Sequence, residues 1–304
     1  MSGSNYGKFA VLCAVWGLTW IAVKFGVTSL PPMLFAALRF VAAGAIFLGI
    51  ATWQGQSIRA LAVDWCGLTV ASLLMITLCY GPLFWGMTKI PSGTAAVLEM
   101  SLTPVCLFVF GMVLRQENWS WAAAIGLAVG SLGLYLLFVG EAQVSYDRGA
   151  WLGILAVCWA AASSALGSVL AKPLIARHGS AVVAGSTTFI GGLLLSAGAV
   201  ICGENLSALA LSNWTMEAFA GWLFLVIFGS LVGYRLYMQL LRDAGPSRAG
   251  MFAFVSPVIA IVVGALFAQE KVTVPNVIGM VLMLLSAAAC LYGPRSSRKT
   301  TPRC

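Results

Sequence analysis

The chain has 304 residues, of which 61% are hydrophobic and 9% charged, with a mean hydropathy of +0.96 and a formal net charge of +8. A soluble domain is nearer half apolar and a quarter charged, so this chain cannot cover itself with polar surface, and its solvent is lipid. The basic balance is split among short loops, which argues against a nucleic-acid-binding face and fits an anionic membrane surface.

A membrane-crossing helix needs about 20 mostly apolar residues. In chain order the pattern predicts ten: Gly7–Val27, Met33–Trp53, Trp65–Thr88, Ser92–Leu114, Trp119–Val139, Gly149–Lys172, Ala181–Gly203, Thr215–Leu240, Ser247–Ala268 and Val274–Gly293. The connections are short, and no segment is large enough for a soluble domain. The expected class is an all-α polytopic membrane protein. The first span lacks a small-residue cleavage site and reads as a retained helix rather than a secretory signal.

Charge sets the expected orientation. With the N-terminus inside, Lys8, Arg59, Arg115, Lys172, Arg177, Arg242, Arg248, Arg295, Arg298, Lys299 and Arg303 fall on the cytoplasmic side. Lys24, Lys89, Arg148 and Lys271 fall on the other. The positive-inside rule then places both termini in the cytoplasm.

The chain repeats a phrase. "SLTPVCLFVFGMVLRQE" from Ser101 and "FVSPVIAIVVGALFAQE" from Phe254 align without a gap, Pro104 on Pro257 and Gln116-Glu117 on Gln269-Glu270. Residues 1–140 and 141–304 form two five-helix repeats on this reading. Five crossings per repeat is odd, so the second copy enters from the opposite side. The chain is therefore expected to hold ten transmembrane helices as two inverted five-helix repeats. That arrangement suits alternating access; the plainer reading is a duplication that serves folding alone.

Candidate substrate-binding residues follow along the chain. In the first span Trp16, Thr19 and Trp20 share a helical face by their spacing. Trp159 and Ser163 match them in the sixth. A mid-span indole needs a buried partner or a wet cavity, so the Trp16–Trp159 pair either walls a pocket or supplies packing bulk. Thr77, Tyr80 and Phe84 form a stripe on the third span, with Trp85 beside it, and Tyr234 and Met238 lie on the eighth; such stripes also serve packing. Arg39 lies near the end of the second span, where a snorkelling anchor or inter-helix partner is expected. Glu99 lies about 10 Å inside the fourth span at 1.5 Å per residue, on a stripe of small and polar residues that includes Thr103. An intramembrane carboxylate points to function: it binds a substrate amine or carries a proton, unless it is a structural, paired Glu. Its counterpart in the ninth span is Phe252. Pro104 and Pro257 each remove a backbone hydrogen bond and can kink or hinge their helices, with Thr103 and Ser256 directly before them. Glu117 and Glu270 read as structural charges at helix N-termini.

Eight cysteines are scattered without a Cys-x-x-Cys pair, and His178 is the only histidine. No metal or other cofactor is implied. No phosphate-binding Gly-Lys-Ser/Thr loop is present, so ATP does not drive the process within this chain.

The "ALRF" at Ala37–Phe40, the Pro-centred fourth and ninth spans and the Gln-Glu closing each resemble the drug/metabolite transporter superfamily, in its EamA-type ten-helix members, with YddG-type amino-acid exporters as the nearest likeness. The resemblance implies an inner-membrane exporter of small metabolites, often amino acids, with a central cavity between the halves. A multidrug or cationic-compound exporter is the alternative, and a membrane-embedded enzyme or a channel a more distant one. The partners implied are a small-molecule substrate and the bilayer, with the proton as a coupling ion if Glu99 carries one.

Overall fold

A computed structural model of the chain describes residues 1–27, 29–90, 92–138, 148–267 and 273–292. Among these residues every regular element is a helix. Lipid supplies no partner for a backbone N–H or C=O, and a helix satisfies all of them within one segment. The apolar runs therefore become α1 (Gly3–Val27), α2 (Pro32–Trp53), α3 (Trp65–Met87), α4 (Ser92–Val113), α5 (Trp121–Phe138), α6 (Arg148–His178), α7 (Ser180–Ile201), α8 (Met216–Ala244), α9 (Phe252–Phe267) and α10 (Val274–Tyr292). Eight stretches are long and apolar enough to cross a bilayer, and Trp121–Leu137 is a shorter apolar one. With the 25 residues of α1, the ten expected helices are accounted for in order. The chain is an all-α polytopic membrane protein.

The contacts follow a two-fold exchange. α2 packs most extensively on α7, and α5 on α10. The other main contacts come in pairs when each helix is replaced by the one five places later. α4 on α6 matches α9 on α1, α3 on α6 matches α8 on α1, and α4 on α5 matches α9 on α10.

Small residues bring these helices together, as expected where lipid removes the hydrophobic drive between helices. A Cβ on Gly133 would stand 2.7 Å from the Gly279 carbonyl oxygen, and one on Gly279 would stand 2.5 Å from that of Gly133. α5 and α10 thus cross backbone to backbone. Gly44 and Gly192 do the same for α2 and α7, against the backbones at Phe189 and Val41. Gly126 and Gly130 admit the Ser286 carbonyl and the Phe254 ring, which fits the packing role expected of that pair. In buried α7, Ser186, Thr187 and Thr188 return their hydroxyls to carbonyls one turn back, so these three groups are paired.

Three features depart from the expected spans. α6 runs 31 residues, straight through Pro173 to His178, beyond the Lys172 end expected for it. The ninth span is broken: a one-turn helix, Pro246–Gly250, precedes α9. Gly245 makes the turn before it at φ 94°, a conformation that favours glycine. Finally, α3 and α8 each contain a π-helical segment, Leu73–Thr77 and Leu225–Tyr234. The Gln269-Glu270 copy of the repeated phrase, Lys271 and the basic tail from Arg295 onward lie outside the described residues.

Carboxylates tie one half to the other. Glu204, after α7, accepts the backbone N–H of Met33 (3.0 Å) and Leu34 (2.8 Å) at the start of α2. Asp64, after α2, meets His178 Nε2 at 2.6 Å and Arg177 at 3.4 Å, just before α7 begins. These contacts hold Asp64 below the usual carboxylate range, the His178 hydrogen bond contributing most. Glu204 thus ties the end of α7 to the start of α2, and Asp64 ties the start of α3 to the end of α6.

The Gly133–Gly279 crossing has a direct test. Gly279→Leu must push α5 off α10, and overpacking of this kind costs about 1–3 kcal/mol or more. The expected outcome is a clear loss of melting temperature in detergent, with Gly279→Ala intermediate.

Candidate functional site

Side chains from seven helices converge between the two halves. Trp16 of α1 packs edge-on against Phe252 of α9 at 4.5 Å between ring centroids, and against Tyr237 of α8 at 5.3 Å. Tyr237 touches Phe252 at 5.7 Å and Tyr234 at 6.4 Å. The Tyr237 hydroxyl donates to Ser168 Oγ of α6 at 2.9 Å. Across from these, Tyr80 of α3 packs on Phe40 of α2 at 4.8 Å and on Phe84 at 6.1 Å. The Tyr234 hydroxyl reaches Met75 Sδ of α3 at 3.7 Å, linking the two ring groups.

Glu99 of α4 enters this cluster. Its carboxylate lies 3.4 Å from Thr103 Oγ1, one turn on. It stands within electrostatic range of Cys79, Tyr80 and Tyr237.

The π segments explain how the cluster is anchored. A π turn replaces i→i+4 bonds by i→i+5 bonds and is frequent at functional sites. Trp16 Nε1 donates to the Gly229 carbonyl in the α8 segment at 3.0 Å. Ser163 of α6 donates to the Leu74 carbonyl in the α3 segment at 2.8 Å. Thus α1 holds α8, and α6 holds α3, by matching bonds in the two halves. The mid-span indole of Trp16 has found the buried partner it needs.

The remaining candidates divide. Ser163, Thr77 and Ser256 spend their hydroxyls on helix carbonyls: Thr77 on Gly191 at 3.1 Å and Ser256 on Cys13 at 3.3 Å. They join helices. Thr19 bonds back to the Trp16 carbonyl and packs beside Gly229. Nothing is described of the Trp20 side chain. Pro104 lies beside Gly250, where α4 meets the entry to α9, and Pro257 follows the Ser256 carbonyl that Gly17 of α1 approaches.

Two tryptophans fall outside the cluster. Trp159 is 55% exposed and shares an exposed stripe with Trp151 and Leu155. Ser168, which holds Tyr237, is nine residues further on, a half-turn out of phase at 3.6 residues per turn. Trp159 therefore points away from Tyr237, and the expected Trp16–Trp159 pocket is not formed. Trp85 is also exposed, with Lys89 at 5.8 Å over its ring.

Arg39 is the opposite case. A snorkelling anchor would expose its head group, yet Arg39 is 8% exposed. Its guanidinium lies 4.2 Å over the Phe40 ring and donates to the Tyr80 hydroxyl at 3.3 Å. Tyr237 was not singled out by sequence at all. Its one signal is the spacing from Tyr234, three residues earlier on the same face.

At the end of the bundle where α6 finishes lies a cavity of about 330 Å³, lined among others by Glu117, Lys172, Arg242, Ser247 and Arg248. Glu117 does not serve its own helix. Its carboxylate accepts the Ser247 backbone N–H at 3.1 Å and the Ser247 hydroxyl, capping the helix that leads into α9. A Cβ on Gly245 would strike the same carboxylate.

The profile of the EamA-like transporter family matches residues 7–139 and again residues 151–292. The chain belongs to the EamA-like transporter family. The double match covers both five-helix halves. Among its EamA-like relatives, the uncharacterized inner membrane transporter YedA of Escherichia coli (strain K12) is 29% identical over 265 residues, covering 85% of this chain and 81% of the relative. The uncharacterized transporter YvbV of Bacillus subtilis (strain 168) is 27% identical, covering 94% and 90%. Protein PecM of Dickeya dadantii (strain 3937) is 26% identical, covering 88% and 86%. A solved crystal structure shares the fold with a TM-score of 0.80 at 20% identity, covering 95% of this chain and 96% of that one.

The Glu117 latch carries a pH signature. Burial raises its pKa, partly offset by the Ser247 bonds and by Lys172 and Arg248. A raised folded-state pKa contributes stability that is complete below the ordinary value of about 4.3 and is lost as pH rises through the raised value. The melting temperature of the wild type, measured relative to Glu117→Gln, is therefore expected to fall as pH rises from about 4.3 towards neutrality. A difference independent of pH would refute the buried-carboxylate assignment.

Proposed function

We propose that this EamA-family chain is a secondary transporter exporting small metabolites, amino acids foremost, across the cell inner membrane by alternating access. The observation that carries the reading is Glu99: a carboxylate inside α4, bonded to Thr103 and close enough to Tyr80 and Tyr237 to act on them electrostatically. A carboxylate supplies the partner for a substrate amine, and Trp16, Tyr80, Tyr237 and Phe252 supply apolar and cation-attracting faces for the rest. The two halves, residues 1–140 and 141–304, act as inverted repeats. Exchange of their packings opens the cluster first to one side and then to the other. In the described conformation the Glu117–Ser247 cap ties α9 to the α4–α5 connection. Opening towards that end requires the cap to break.

Both termini and the Gln54–Asp64 loop lie in the cytoplasm on this reading. Cysteine labelling in intact cells should leave residues placed in that loop and at both termini unmodified by an impermeant reagent. A labelled C-terminus would overturn the inverted arrangement.

Flux into proteoliposomes loaded with a panel of amino acids tests the substrate class. Glu99→Gln keeps shape and hydrogen bonding but removes charge. If Glu99 binds the amine, both gradient-driven flux and exchange fall, with an affinity loss of about 1.5–3 kcal/mol for a charge-assisted contact. If it carries the coupling proton, only flux driven by a pH gradient is lost. The reading favours the amine, because a single acid offers no relay. The same carboxylate and rings also suit organic cations, so quaternary ammonium compounds belong in the panel. Transport of these without amino acids would favour a multidrug exporter.

A further inference from the structure

Arg39 is a buried cation without a counter-charge. Among the described residues no carboxylate lies within ion-pair distance of it. One Nη donates to Tyr80, and Nε, buried from solvent, has no hydrogen-bond partner. The rings of Phe40 and Tyr80, at 4.2 and 5.7 Å, are its remaining company. A membrane interior is a costly place for such a group, and ionisable residues held there pair with one another, with backbone or with a ligand.

The orientation of its neighbours suggests what completes it. The Tyr80 hydroxyl accepts from Arg39, which leaves its own proton to donate. The guanidinium keeps unused donors in a planar fork, a shape that matches a carboxylate. Tyr80 also stands within electrostatic range of both Arg39 and Glu99. Among the described residues the two opposite charges do not meet in an ion pair.

We infer that Arg39 and Tyr80 form an anion subsite that takes the carboxylate of a zwitterionic substrate, opposite the Glu99 end that takes its amine. The inference rests on the amino-acid reading above and adds a second pole to it. An amine-only cation would leave Arg39 unpaired; an amino acid answers both charges at once.

The test compares amino acids with their own amides, which keep the amine and side chain but replace the carboxylate by a neutral group. Counterflow in proteoliposomes is measured for L-phenylalanine, L-leucine and L-threonine, each with its amide as competitor. The wild type is expected to prefer every acid over its amide by at least about tenfold, the range of a charge-assisted contact. Tyr80→Phe keeps the ring under the guanidinium and removes the hydroxyl; it should narrow that preference several-fold. Arg39→Lys keeps charge but not the fork and should narrow it further, and Arg39→Gln should erase it. The preference ratio is insensitive to how much protein is folded. If Arg39→Gln fails to fold, the wild-type ratio and Tyr80→Phe decide. Equal competition by acids and amides in the wild type would overturn the subsite while leaving the transporter reading intact. No exchange of any amino acid or amide would overturn both. Restored flux in the Arg39→Gln, Glu99→Gln double variant would show that the two residues serve each other in another conformation, and would also overturn the subsite.

Discussion

Lipid offers no hydrogen bonds, and much of this structure follows from that constraint. It makes the apolar runs helical, and it dictates what happens where a helix is imperfect. In the π segments of α3 and α8 the carbonyls of Leu74 and Gly229 accept bonds from Ser163 and Trp16 of neighbouring helices. An imperfection in one helix thereby becomes a bond between two. Helix ends obey the same demand. The first N–H groups of α2 go to Glu204, and the entry to α9 goes to Glu117, each from the other half of the chain. Satisfaction of the backbone and attachment of the halves are one set of contacts.

The sequence exposes the parts of this architecture that have a period. Ten apolar runs and the small-residue spacing of Gly126 and Gly130 correspond to structure that the chain adopts. Local departures carried no such signal. Pro173 looks like a helix end, yet α6 continues, because one lost hydrogen bond does not terminate a packed helix. The one-turn helix ahead of α9 starts from Gly245 and is capped by a carboxylate far away in the sequence. π segments have no composition of their own.

Side-chain direction was the least legible feature of the site. Trp16 and Trp159 occupy matching positions in sequence, but one faces Tyr237 and the other is largely exposed. The alignment of repeats specifies position along a helix, whereas rotation about its axis depends on which neighbours it meets. Of the two readings of Arg39, the inter-helix partner holds and the snorkelling anchor does not. Distance from a helix end suggests that a long side chain can reach water, but Phe40 and Tyr80 hold the guanidinium inside. Glu99 was readable because a lone acid at membrane depth has few bland explanations. Tyr237 was not, because tyrosine on a membrane helix has many.

The symmetry of the scaffold and the asymmetry of its chemistry serve different needs. Pairing of α2 with α7 and of α5 with α10 joins each helix to the one five places later in the chain. A substrate has no such symmetry. At the matching positions of α4 and α9 the chain places Glu99 and Phe252, and both approach Tyr237, one electrostatically and one ring to ring. The same location in the two repeats thus offers a charge on one side and an apolar face on the other. If the two packings exchange, the helices swap roles but these side chains do not. A bound molecule would then keep the same partners while access changes from one face of the membrane to the other, which is the condition for carrying it across rather than merely binding it.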